Sequence, residues 1–269
     1  MGIKVLILGE SGTGKSTSLR NFTKDELFLV NVANKTLPFK GKFESVNGDS
    51  YREIKKALAN TDKKSIVIDD SQYLMANEFM RRATEKGFDK FTEIAQNYWE
   101  LIQAVDKLPE DTITYIISHV DKDQNGNEKI KTIGRLLDEK ITIEGMFTIV
   151  LKTTIQDGKY YFQTQNSGHD TCKSPIGLFD TFLIPNDLKA VDKLIREYYE
   201  LTPTTNIPKE VVKELEDKGI DVSSLSDVEV VEEQPKSLAE KLADFQNKEP
   251  RAAAVETADA TPVRRRRRV

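Results

Sequence analysis

Residues 9–17, GESGTGKST, come directly after the apolar run IKVLIL at 3–8. A chain that sets glycines, a lysine and a pair of hydroxyls right behind a strand-like run has few folds open to it. The stretch fits G-x-x-x-x-G-K-[ST] in full, with Gly9, Gly14, Lys15 and Ser16 at the fixed positions. The spacing has a physical reason. Glycines let successive N–H groups turn inward around an anion, and a helix beginning at Lys15 points its positive end at the same place. Lys15 then reaches β and γ phosphates, the Ser16 hydroxyl takes a place on Mg²⁺, and Thr17 sits by the α phosphate. The whole cradle is Gly9, Glu10, Ser11, Gly12, Thr13, Gly14, Lys15, Ser16 and Thr17. Glu10, an acid beside a phosphate site, is expected to point away. The ligand this pattern takes is a nucleoside triphosphate with magnesium.

Such a site needs an acid at the end of a neighbouring buried strand. The run IVIDD at 66–70 supplies two. Asp69 is the expected magnesium partner, and Asp70 is expected to orient or deprotonate the attacking water. The strand TITYIISH at 112–119 ends on Ser118 and His119, where a polar sensor of the γ phosphate belongs.

The rest of the chain fixes the class. IKVLIL and SIVID are apolar without alternation, as in parallel strands buried on both faces. LFLVNV at 27–32 is another strand, YREIKKALAN at 51–60 an amphipathic helix, and 77–108 carries helical periodicity. The stripe there runs through Phe91, Ile94, Ala95, Tyr98, Ile102 and Val105, with Trp99 beside it in a core role. Asp157-Gly158 between two strand-like runs signals a tight hairpin, since a type I′ turn needs positive φ at both central residues. A helix over 186–200 closes the ordered part. Strands alternating with helices imply an α/β fold with a mainly parallel sheet and a C-terminal antiparallel hairpin: a RecA-like P-loop NTPase core over 1–202.

Beyond it, 203–220 reads as a helical extension and 221–269 as a largely disordered acidic tail. The composition agrees, with 31% charged and only 38% hydrophobic residues in 269. The net charge is −4, but Arg264, Arg265, Arg266, Arg267 and Arg268 supply five positive charges at the extreme end, leaving −9 on everything else. A single cysteine, Cys172, allows no internal disulfide and fits a reducing cytoplasm. No apolar run approaches the ~18 residues of a membrane span, and no secretory signal is recognised.

The nucleotide is ATP rather than GTP. Guanine is read by N-K-x-D, and NKTL at 34–37 has leucine where the aspartate belongs and lies too early in the chain. Neither the arginine-rich lid of a small-molecule kinase nor the helical lid domain of a helicase-like AAA+ protein is evident.

Together GESGTGKST, IVIDDSQYLMANEFMRR, SHVD, TIGRLLDEKITIEGMFTIVL and YYFQTQNSGHDTCKSP resemble a family of bacteriophage AAA-type ATP-binding proteins. These are related to the RecA-like single-strand annealing proteins of phage recombination, the Sak group that carries a P-loop. The resemblance covers roughly 1–200. It implies ATP binding and hydrolysis, single-stranded DNA binding, strand annealing, and work beside a phage single-strand-binding protein in the cytoplasm of an infected bacterium. A homo-oligomer is expected, with ATP at a subunit boundary. The separate DNA-binding or oligomerisation domain of a full-length recombinase is not evident, so strand exchange is not expected.

In RecA-like proteins the loop leaving the sheet near the sensor strand touches DNA. Here it is DKDQNGNEKIKTIGR, 121–135, carrying Lys122, Lys129, Lys131 and Arg135, and it reads either as a mobile DNA loop or as a plain solvent loop. Its D-x-D-x-N-G start resembles a calcium loop, but Thr132 falls where the bidentate acid is needed. His169, Asp170 and Cys172 are too few and too close for a metal site. The terminal arginines are able to hold several phosphates without sequence preference.

Overall fold

The computed structural model describes residues 1–123 and 125–201, together with two short strands at Thr205–Pro208 and Val228–Val231. The strands of the first unit, Met1–Pro203, are β1 (Ile3–Gly9), β2 (Leu27–Asn31), β3 (Glu44–Asn47), β4 (Ser65–Asp69) and β5 (Ile113–Lys122). They continue with β6 (Glu128–Ile130), β7 (Ile149–Gln156), β8 (Lys159–Gln163) and β9 (Leu183–Pro185). They form one nine-stranded sheet in the order β3-β2-β4-β5-β1-β7-β8-β9, with β6 paired to the far end of β5. From β3 to β7 every neighbour is parallel; β8 and β9 add antiparallel. The expected α/β core with a mainly parallel sheet and a terminal hairpin is therefore present. Asp157 and Gly158 both have positive φ, 52° and 73°, as the type I′ turn requires.

Side chains alternate between two cores. On β1, Leu6 and Leu8 face one side and Val5 and Ile7 the other; on β4, Ile66 and Ile68 oppose Val67. The first face is covered by α1 (Tyr51–Asn60), α2 (Gln72–Arg81) and α3 (Asp89–Val105), which bring Ile54, Leu74, Met75, Ile94, Tyr98 and Ile102. The second is covered by α4 (Leu188–Tyr198) through Leu188, Val191 and Ile195, with Leu19 from the short helix behind the glycine loop. Both faces being dry explains why these strands read as unbroken apolar runs.

Four expectations are corrected. The helix after the loop is a six-residue 3₁₀ turn, Ser16–Asn21, with Lys15 as its cap, so it offers little aligned dipole. The periodicity over 77–108 is two helices broken at Gly87, whose φ of 93° no helix accommodates. Trp99 is 39% exposed and outside the core. The loop 121–135 is largely ordered: β5 runs on to Lys122 and β6 folds back on it, Val120 opposite Ile130. Asp123 caps its tip, accepting from the N–H of Asn125 and of Asn127, both at 2.8 Å.

In the second unit, Thr204–Val269, β10 (Thr205–Pro208) pairs parallel with β11 (Val228–Val231). The helix expected within 203–220 lies outside the described residues, as do Arg264–Arg268 and most of the tail.

Candidate active site

Parallel pairing brings the C-terminal ends of four strands to one level. Gly9 of β1 stands opposite His119 of β5, and Asp69 of β4 opposite Asn31 of β2. Strand β5 lies between β1 and β4, and the chain leaves β1 toward β2 on one side while β7 joins on the other. A crevice outside the carboxyl ends at such a reversal is where open α/β sheets bind ligands. A cavity of about 250 Å³ opens there, lined by Gly14, Lys15, Ser16, Asp69, Asp70 and His119, among others.

The loop surrounds its own lysine. Lys15, 6% exposed, donates from Nζ to the carbonyls of Gly9 and Glu10 at 2.9 and 2.7 Å. Burial lowers its pKa, against the attraction of Asp70 and Asp69. Ser11, Gly12, Gly14, Ser16 and Thr17 also line the cavity, whereas Gly9, Glu10 and Thr13 stand behind it. Thr13 and Thr153 of β7 share a hydroxyl hydrogen bond of 2.6 Å, which ties the loop to the sheet. A side chain at Gly9 would meet Thr153 Oγ1 at 2.0 Å, so the first glycine of the motif is required by close approach alone. Glu10 does point away, and it has a partner: its carboxylate is 3.0 Å from Lys122 Nζ.

The two acids differ sharply. Asp69 is buried and its Oδ1 has no hydrogen-bond partner among the described residues. Burial and then the Asp70 charge push its pKa up to about 6, opposed by a hydrogen bond from Ser16. A buried, unsatisfied carboxylate oxygen beside a serine hydroxyl is costly unless a cation completes it, so this pair fits magnesium. Asp70 has a left-handed φ of 57°, sparsely populated outside glycine, which turns its carboxylate into the cavity. There it meets Lys35 Nζ at 2.7 Å and His119 Nε2 at 3.4 Å. Burial alone raises its pKa, but hydrogen bonds from His119 and Lys35 outweigh that and hold it down at about 2.

Lys35 has no part in the sequence expectation. It is presented by a turn off β2. The Asn31 amide donates to Lys35 O at 2.7 Å and accepts from Lys35 N at 3.1 Å, with Asn34 at φ 51° between. Its ammonium also lies 4.9 Å from the centroid of the Tyr73 ring. The signal was a lysine four residues past the end of a buried strand.

Of the sensor pair, His119 lines the cavity and Ser118 does not. Ser118 is fully buried, with Oγ 3.4 Å from the Gln72 Oε1, which also accepts from His119 N at 3.2 Å. The lysines of the 121–135 segment are largely engaged. Lys122 bridges Glu10 and Glu128, and Lys129 meets Asp138 at 2.5 Å. Among the described residues Arg135 makes only an exposed pair with Glu139 and Lys131 is in no ion pair; Lys131 lines a second cavity that shares His119. Asp170 does not assemble ligands either. It closes its own loop, accepting from Gln163 Nε2 at 2.6 Å and Cys172 N at 2.9 Å. Among the described residues no helix is long and apolar enough to cross a membrane.

No curated protein matches the chain. A family model described as an AAA domain matches residues 1–175, which spans the glycine loop, both acids, Lys35, His119 and the hairpin. The chain belongs to the AAA domain family, and its phosphate loop, acid pair and sheet order make up a P-loop nucleotide-binding core.

Proposed function

We propose that this protein is an ATPase that hydrolyses Mg·ATP and couples turnover to single-stranded DNA, promoting annealing in phage DNA metabolism. The observation that supports hydrolysis is the convergence of Lys15, Ser16, Asp69, Asp70, Lys35 and His119 on one cavity. In this reading Lys15 turns from the Gly9 and Glu10 carbonyls to the β and γ phosphate oxygens. Ser16 and Asp69 would hold magnesium, which would supply positive charge beside the phosphates. Asp70 positions water in line with the γ phosphorus and takes its proton as the oxygen attacks and ADP departs. Lys35 must leave Asp70 for this, and the γ phosphate is the anion it turns to.

The 121–135 ribbon is the proposed DNA contact. Its Lys122 already holds Glu10 of the phosphate loop, and the Lys131 N–H donates to His119 O at 2.9 Å, so a polyanion there pulls on both Glu10 and His119. Arg135 and Arg264–Arg268 add phosphate affinity. A homo-oligomer in the host cytoplasm, beside a phage single-strand-binding protein, completes the reading.

A second reading is an ATP-driven loader that acts on a replication protein and does not anneal. The pairing of Lys122 and Lys129 with acids favours it, because neutralised lysines are poor DNA ligands. Turnover measured with and without single-stranded DNA, alongside an annealing assay, separates the two. Stimulation by DNA together with annealing supports the first. Stimulation by a protein alone supports the second, and ATP binding without turnover removes both.

A further inference from the structure

One polar group next to the phosphate loop has no explanation in phosphate or magnesium chemistry. Asn186, between β9 and α4, is 2% exposed, and both Oδ1 and Nδ2 of its amide lack a hydrogen-bond partner among the described residues. Burying an amide with nothing to bond costs of order 1–3 kcal/mol, so such a group calls for a ligand or another role. Its place is specific. A Cβ built on Gly14, which lines the phosphate cavity, would stand 3.3 Å from Asn186 Oδ1 and 3.4 Å from Nδ2. The same Cβ would meet Tyr160 Cδ1 at 2.8 Å, so the Tyr160 ring also lies against Gly14, and it is 46% exposed.

The surroundings hold Asn186 firmly to the loop. Arg20, in the 3₁₀ turn just after the motif, donates to Asn186 O at 2.6 Å, and Asn186 N donates to Tyr160 O at 3.2 Å. Asn21 reaches Asp187 at 2.7 Å. Three backbone and side-chain ties thus fix the position of a carboxamide whose own atoms are free.

Resting on the ATP reading above, we propose that Asn186 reads the nucleobase of the bound nucleotide, with Tyr160 as the ring on which the base stacks. The γ phosphate end of the cavity is marked by Asp70 and His119. Gly14, Ser16 and Thr17 mark the other end, and the base lies beyond it, where Tyr160 turns aside from Gly14 and uncovers the amide. Adenine carries an amino donor beside a ring-nitrogen acceptor on both of its edges, and one carboxamide satisfies that pair with Oδ1 and Nδ2. Guanine offers an amide-compatible pair on one edge and two acceptors on the other. Asn186 therefore fits adenine by either edge and guanine by one alone, which favours adenine, and an aromatic partner adds stacking that any base accepts.

The experiment is calorimetric binding of Mg·ATP, Mg·GTP and Mg·tripolyphosphate to the full chain. Asn186→Ala should weaken ATP about tenfold or more, within the range of one bidentate amide–base pair, and leave tripolyphosphate within about twofold. Asn186→Asp has the same shape and only acceptors. It should lower ATP affinity and raise GTP affinity, because guanine presents two adjacent donors. Tyr160→Phe should bind ATP as the wild type does and Tyr160→Ala several-fold more weakly. Equal loss of ATP and tripolyphosphate in Asn186→Ala, or no loss of ATP, overturns the assignment. If the wild type binds tripolyphosphate as tightly as ATP, the phosphate site stands and the base reader falls. If it binds neither, the ATP reading fails first and takes this inference with it.

Discussion

The Lys35 ammonium lies 2.7 Å from the Asp70 carboxylate, in the cavity that Lys15 also lines. Neither residue is held there by its partner alone. The Asn31 amide clasps the turn that presents Lys35, and the left-handed backbone of Asp70 aims its oxygens outward. Lys35 keeps more than half of its side chain exposed while that of Asp70 is almost covered. The cation is thus the solvent-facing member of the pair. It stands where a γ phosphate would compete with Asp70 for it.

Lys35→Met should weaken ATP by roughly tenfold while ADP affinity changes little, because only ATP carries the γ phosphate that Lys35 is proposed to meet. Turnover should fall by a further ~10-fold or more, as for other charges aimed at a transferring phosphoryl group. Parallel titrations with ATP and ADP check this. Equal losses for both nucleotides return Lys35 to a purely structural role.

Asp70→Asn should keep ATP binding and cut turnover by roughly 10²-fold or more, the usual scale for a general base. Steady-state hydrolysis together with calorimetry separates the two effects. Unimpaired turnover would move the base elsewhere in the site.

Gly9→Ala should disrupt the phosphate loop although φ at Gly9 is not left-handed. The added methyl would stand 2.0 Å from Thr153 Oγ1, and the loop must shift to escape it. ATP affinity should drop by at least about tenfold, a loss of ~1.4 kcal/mol. Combining it with Thr153→Ala removes the clashing oxygen and should restore part of the binding. A double variant no better than the single one argues against this steric cause.

Asp192→Ala should destabilise the fold by about 3–5 kcal/mol, because it leaves a buried network with no acceptor. Asp192 accepts from Ser65 Oγ at 2.9 Å, Tyr115 OH at 2.8 Å and Arg196 Nε at 2.7 Å. It thereby ties α4 to the starts of β4 and β5, far from the cavity. Urea unfolding should show the loss, while ATP affinity per folded molecule stays near wild type.

Deleting 264–268 should flatten the salt dependence of DNA affinity by up to about four units of slope, at ~0.7 per phosphate for single strands. An unchanged slope removes the arginine run from the interface.

Much of the core was legible because its causes are local. A parallel sheet dry on both faces demands unbroken apolar strands, and β1, β4 and β5 have them. Asp157-Gly158 named its own turn. The edge strand β3, ESVN, is mostly exposed and carries no apolar run to betray it. The β5–β6 ribbon was hidden for a related reason: beyond Val120 and Ile130 its pairing partners are polar, so only the register shows them as strands.

The phosphate loop, the acids of IVIDD and the polar end of β5 were written in the order of residues along the chain, since backbone turning around an anion and burial of a strand depend on neighbours in sequence. Strand order, the meeting of Lys35 with Asp70, the engagement of Lys122 by Glu10 and the burial of the Asn186 amide came only with the tertiary structure. Those contacts join residues 35 to well over 100 positions apart. Parallel crossovers and the packing of two cores decide them, and no local pattern encodes where a crossover returns.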